Sequence, residues 1–129
     1  MSAFSFSERS LRLMDGVHPD LVKVVRRAME NTPSDFVVLE GVRSPERQQQ
    51  LFQNGASRTL NSRHLTGHAI DLAPWIDQQI PWQDWPAFAA LAQTMKLAAR
   101  ELGIPITWGG DWKNLKDGPH FELPRESYP

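Results

Sequence analysis

The stretch "DWPAFAALAQTMKLAARELG" does most to narrow what this chain can fold into. Trp85, Phe88, Ala92, Met95, Ala99 and Leu102 recur at spacings of 3, 4, 3, 4 and 3, which is one face of an α-helix. Asp84 is placed to cap its start and Gly103 to end it. A stripe of this kind is core. A second one, in "VHPDLVKVVRRAMENTP", aligns Leu21, Val24, Val25, Ala28 and Met29, with Pro19 suited to the first helical turn and Pro33 beyond the end.

The remaining apolar runs are short. "DFVVLEG" is rich in β-branched residues and closed by Gly41, so it predicts a buried strand, while "PERQQQLFQNG" predicts a helix from Pro45 that stops at Asn54 and Gly55. Residues 56 to 67 read mostly as loop, "HAIDLAPW" as a strand, and "WIDQQIPW" as a turn or small hairpin. "IPITWGG" and "PHFEL" are further short strands. Helices and short strands without regular βαβ alternation predict an α+β fold, a small antiparallel sheet flanked by helices. With 129 residues and no repeat, charge block or low-complexity linker, the expectation is a single compact domain over residues 1–129.

Composition removes several functions. Fourteen Lys plus Arg against fifteen Asp plus Glu give a formal charge of −1, which argues against nucleic acid as a partner. No cysteine is present, so disulfides and thiolate chemistry are excluded and any zinc site must use histidine and carboxylate groups. The opening "MSAFSFSERSLRLMDG" sets Glu8, Arg9 and Arg12 among its apolar residues in place of a signal-peptide core, and no later run is long enough to span a bilayer. A cytoplasmic protein without membrane insertion is expected.

The chemistry-bearing stretch is "NSRHLTGHAIDLAP", residues 61 to 74. On a strand, Ala69, Asp71 and Ala73 point to one face while His68, Ile70 and Leu72 point to the other. The alanines leave space beside Asp71 for a metal and a substrate. His64, in the loop before Gly67, can turn back over the Asp71 face; His68 cannot. The helical pair of histidines used by zincins does not apply, because Leu65 follows His64 and Gly67 breaks a helix.

Catalytic zinc usually has three protein ligands and an open position, so a third ligand must come from elsewhere. His18 precedes Pro19 at a helix start, where packing explains it. His120 in "DGPHFEL" follows a Gly118–Pro119 turn into a strand, and Asp117 lies three residues upstream, able to approach a metal's water without binding the metal. Taken alone, the set reads more simply as two satisfied structural histidines and a capping aspartate.

A longer pattern changes that reading. Ser62, His64, Gly67, Ala69 and Asp71 meet S-x-H-x-x-G-x-A-x-D in full, and Asp117 and His120 meet a later acid-x-x-His element. On these motifs the chain resembles the zinc D-alanyl-D-alanine carboxypeptidases and dipeptidases of VanY and VanX type, together with the phage L-alanyl-D-glutamate endopeptidases. The phage endolysin branch is the nearest in pattern, since "DFVVLEGVRS", "GHAIDLAP", "GGDW" and "DGPHFEL" look like it in the same order. One departure is that only Lys113 to Lys116 separate "GGDW" from "DGPH", shorter than the insertion of some phage relatives.

The resemblance implies an LAS-type zinc peptidase fold, with His64, Asp71 and His120 binding Zn2+ and Asp117 as catalytic acid/base. Arg43 in "GVRS" would hold the substrate carbonyl or its developing oxyanion. The implied activity is cleavage of the L-Ala to D-Glu bond in peptidoglycan stem peptides during phage lysis. It would be carried out by a monomer that waits in the host cytoplasm until a holin opens the membrane. A D-Ala-D-Ala carboxypeptidase with the same machinery is the alternative; a non-catalytic zinc or wall-binding domain is a further one, against which Asp117 argues.

Around that set, other residues have both functional and plain readings. A free aspartate titrates near about 3.9, so Asp117 needs an environment that raises it if it is to act as a base. Arg43 either serves the oxyanion or pairs with Glu40 or Glu46. Ser62 either donates a hydrogen bond in the site or shapes the loop. Glu122 shares strand parity with His120 and either orients it or faces water. Trp108, Asp111 and Trp112 either line a substrate groove or, for the tryptophans, pack in the core.

Overall fold

The computed structural model describes residues 3–57 and 59–129. Four α-helices and four β-strands follow the order α1 (Glu8–Leu13), α2 (Pro19–Asn31), β1 (Phe36–Glu40), α3 (Pro45–Gln53), β2 (Ala69–Pro74), α4 (Trp85–Leu102), β3 (Thr107–Trp108) and β4 (His120–Glu122). Single 3-10 turns at Arg63–Thr66 and Gly109–Asp111 precede β2 and follow β3. The strands form one antiparallel sheet in the order β1-β2-β4-β3. This is the expected α+β fold.

Local chemistry accounts for the element ends. Ser44 and Asp84 cap α3 and α4 by accepting from the amides of Arg47 and Ala87, and Gly103 closes α4 in the left-handed conformation. His18 caps α2, its Nδ1 accepting from the Asp20 amide at 3.0 Å, with Pro19 in the first turn. The expected small hairpin after β2 is an Ile76–Gln79 bridge, tightened by positive φ at both Asp77 and Gln78. Helix α1 was not anticipated. Only six residues long, it offers too few turns for a periodic stripe, and it is held by a Ser7 cap and by contact with β1, where buried Ser10 accepts from the Val38 amide.

One face of the sheet is core. Phe36, Val38, Ile70, Leu72, Phe121 and Leu123 pack with Leu21, Val24, Val25 and Ala28 of α2 and Leu91, Ala92, Met95, Ala98 and Ala99 of α4. Truncating a fully buried member such as Phe121 or Leu72 to alanine costs about 2–5 kcal/mol. The α4 stripe is narrower than its spacing implied, because Trp85 and Leu102 at its two ends are exposed.

The other face carries the polar residues, and the register decides which meet. Asp71 lies opposite His120, and Ala69 opposite Glu122. On the other flank of β2, Val38 pairs with Leu72 but Glu40 pairs with Asp71, so β1 has one residue too many at Leu39. That bulge turns Glu40 from the core face of Phe36 and Val38 onto the Asp71 face.

Candidate metal centre and cleft

His64, Asp71 and His120 each present one ligand atom, and these atoms lie within 4.8 Å of one another. His64 Nε2 is 3.2 Å and His120 Nδ1 3.4 Å from the same oxygen, Asp71 Oδ1. Two ligands about 2.0–2.1 Å from a tetrahedral zinc stand about 3.3 Å apart, so the spacing suits such an ion.

The far side of each imidazole sets its tautomer. His64 donates from Nδ1 to the Gly41 carbonyl at 2.8 Å, and His120 donates from Nε2 to Glu122 Oε1 at 2.7 Å. In the neutral rings, His64 Nε2 and His120 Nδ1 therefore aim lone pairs at a carboxylate. Three acceptors facing one another require a cation between them, either a proton or a metal. His, Asp and His form a donor set for a metal of zinc type, and the residues fit one.

Electrostatics agree with that geometry. Burial works to raise Asp71, yet hydrogen bonds from His120 and His64 outweigh it and hold the carboxyl well below the usual carboxylate range. Burial likewise opposes charge on His120, but hydrogen bonds to Asp71 and Glu122 raise it to about 9. Glu122 is lowered, its burial overcome by the hydrogen bond from His120.

Sequence elements deliver these groups in a simple way. Asp71 and His120 are cross-strand partners on β2 and β4, and Glu122 follows two residues after His120 on the same face. His64 sits in the 3-10 turn capped by Ser62, whose Oγ accepts from the His64 amide at 3.2 Å. Gly67 then reverses the chain at φ +79°, and a Cβ there would stand 2.5 Å from the Gly16 carbonyl oxygen. Only glycine permits that turn and that approach together.

A cleft of about 850 Å³ opens over the three ligands, and Glu40, Arg43, Ser62, Trp112, Asp117 and Glu122 are among its lining residues. The Asp117 carboxylate makes no hydrogen bond among the described residues. Burial first, and then the charge of Asp71, raises it above its ordinary value, against the opposing charges of His120, His64 and Arg43. The loop that carries it fits closely against the 3-10 turn after β3, because a Cβ on Gly109 would lie 2.4 Å from the Asp117 carbonyl oxygen.

Arg43 is fixed from several sides. Its Nη2 pairs with Glu40 Oε1, its Nη1 donates to Gln48 Oε1 at 2.7 Å, and Nη2 lies 3.9 Å from Asp71 Oδ2. The expected Glu40 pair thus exists and holds the guanidinium at the cleft. Among the described residues its buried Nε has no hydrogen-bond partner. Gln48, 1 % exposed, is itself held by Ser57 Oγ and the Thr59 carbonyl.

Trp108 lies in the core and not along the cleft. It pairs with Phe121, which directs it to the core face; it is buried, donates from Nε1 to the Gly118 carbonyl at 2.7 Å and stacks on Trp85. Trp112 lines the cleft in its place, with its ring 5.0 Å from that of His120. Asp111 is also outside the cleft lining and pairs with Lys96 at 2.7 Å. The space expected beside Ala69 and Ala73 is filled, since both are fully buried, so the opening lies over Asp71. His68 turns away from the ligands, with Nδ1 2.7 Å from Thr66 Oγ1 and its ring 5.4 Å from that of His18. Glu40 as a cleft residue and Gln48 as the buried support of Arg43 carry no readable signal, because a bulge and a buried helical glutamine leave no pattern in one sequence.

Known proteins share this arrangement of chain. The sequence model of the family "Phage L-alanyl-D-glutamate peptidase" matches residues 1–124. The L-alanyl-D-glutamate peptidase of Escherichia phage T5 is 39% identical over 98% of this chain and 93% of its own length. The peptidoglycan L-alanyl-D-glutamate endopeptidase CwlK of Bacillus subtilis is 31% identical over 77% of this chain and 66% of its own. Among solved structures, the crystal structure of the Serratia marcescens L-Ala D-Glu endopeptidase ChiX superposes with a TM-score of 0.90 at 48% identity, covering 96% of this chain and 92% of that one.

Proposed function

The chain belongs to the phage L-alanyl-D-glutamate peptidase family, and from that premise we propose that it is a zinc-dependent endopeptidase cutting the L-Ala to D-Glu bond of peptidoglycan stem peptides. The observation that carries the reading is the convergence of His64 Nε2, Asp71 Oδ1 and His120 Nδ1 at the floor of a cleft that Asp117 also lines. His64, Asp71 and His120 would hold the zinc ion, which would supply Lewis-acid polarisation of a carbonyl and a more acidic water at neutral pH.

The chain's own groups do the rest. Asp117, raised by burial, accepts the proton of the attacking water and returns it to the departing amine of D-Glu. Arg43 stabilises negative charge developing on the carbonyl oxygen; Glu40 and Gln48 hold its guanidinium so that little reorganisation is needed. Glu122 fixes the His120 tautomer, and Ser62 shapes the turn that presents His64. Trp112 offers an apolar wall on the His120 side.

In this reading the protein acts as a monomeric single-domain endolysin held inside the host until a holin breaches the membrane. Among the described residues, no helix is long and apolar enough to cross a membrane. Mass spectrometry of digested peptidoglycan tests the bond. New amino-terminal D-Glu, with L-Ala left on the sugar-linked fragment, supports the assignment; loss of terminal D-Ala alone would give it to the carboxypeptidase alternative.

A further inference from the structure

Two of the cations that line the cleft stand apart from the rest. Arg43 and Arg47 share Glu40, and buried Arg63 donates to the carbonyls of Leu123 and Tyr128. Among the described residues, Lys116 and Arg125 pair with no carboxylate. Lys116 Nζ reaches only the Gly110 carbonyl at 3.3 Å, and Arg125 Nη2 only the Asn61 carbonyl at 3.1 Å. Arg125 still has an electrostatic counterpart, since its charge helps to lower Glu122. Lys116 has none.

The backbone at Lys116 is also unusual. Leu115 immediately before it adopts φ +52°, a left-handed conformation rare for leucine, and its side chain is exposed at the cleft edge. Backbone strain of this kind persists where the surrounding structure fixes it and gathers at binding sites.

The chemistry of the substrate supplies the counterpart. This step rests on the proposed L-alanyl-D-glutamate cleavage. D-Glu has two carboxyl groups and only one continues the peptide, so an unamidated residue keeps a free carboxylate within a few bonds of the departing nitrogen. Asp117 returns a proton to that nitrogen, which brings D-Glu to the Asp117 side of the cleft, a wall that Lys116, its neighbour in the chain, also lines. We propose that Lys116 is a specificity residue that recognises the free carboxylate of the leaving-side D-Glu, so that the protein discriminates against wall peptides in which this carboxyl is amidated.

The test compares kcat/KM on two synthetic stem peptides that differ only in this group, free carboxylate against carboxamide. A charge-assisted hydrogen bond predicts that the wild type favours the carboxylate by about ten- to a hundredfold. Lys116→Gln brings the ratio near one, and Lys116→Arg and Arg125→Gln keep it. Lys116 is exposed and its one hydrogen bond is long, so these variants are expected to fold. A wild type that cuts both peptides equally between L-Ala and D-Glu would overturn the role of Lys116 alone. So would a ratio that survives Lys116→Gln or collapses in Arg125→Gln. A wild type that cuts neither at that bond would overturn the reaction assignment and this inference with it.

Discussion

Raising the pH should weaken the metal-free protein. His120 has an ordinary value of about 6.5, but in the fold the hydrogen bonds to Asp71 and Glu122 overcome burial and raise it to about 9. Between those values the folded protein keeps a proton that the unfolded chain has released. A raised folded-state value gives stability that is complete below about 6.5 and is lost as pH rises through about 9. At about 1.4 kcal/mol per pH unit the interval corresponds to about 3 kcal/mol, or a fall in Tm of about 10 °C for a chain of this size. The depression of Asp71 expresses the same contacts and is not counted again. Thermal unfolding of chelator-treated protein from pH 6.5 to 9.5 measures the effect, with His120→Asn as the reference. The wild type should lose stability over this range while the variant stays nearly flat. A wild type equally stable at both ends, or a variant that falls as steeply, would refute the account of the ligand cluster. Added zinc should stabilise more as pH rises, because the metal must displace the His120 proton.

Asp117→Asn should keep stoichiometric zinc and lose cleavage by about 10²- to 10⁴-fold, as zinc analysis and muropeptide release will show; full activity would remove Asp117 from the reaction. His64→Ala should lose zinc and His68→Ala should retain it, because the His68 ring faces His18; equal zinc loss in two folded variants, judged by circular dichroism, would contradict the ligand assignment. Gly67→Ala should cost about 1–3 kcal/mol or more in urea unfolding, since it combines positive φ with a Cβ 2.5 Å from the Gly16 carbonyl oxygen; an unchanged midpoint would show that the turn can relax.

Much of this architecture was legible because it rests on short-range rules. The α2 and α4 stripes, the cap at Asp84, the α3 start at Pro45, and the strand parity of Asp71 and Glu122 depend on residues within a turn or two of each other. The place of His68 follows from the same parity. What stayed hidden depends on pairing between distant segments. Nothing in "ITWGG" tells which face Trp108 takes until its register with Phe121 is known. Glu40 would share the core face of Val38 but for a bulge that exists only against β2. Gln48 reads as one polar residue in a polar helix, although its amide ties Arg43 to Ser57 and Thr59. The convergence of His64, Asp71 and His120 needed the motif resemblance before it outweighed the plainer structural reading.

The central claim is that His64, Asp71 and His120 bind one zinc ion on which cleavage of the L-Ala to D-Glu bond depends. Titrating zinc into chelator-stripped protein, while following bound metal and the mass of released muropeptides together, tests it most directly. The account predicts that cleavage returns in proportion to zinc and saturates at one equivalent, with amino-terminal D-Glu in the products. Full cleavage by the metal-free protein, or stoichiometric zinc without that product, would contradict it.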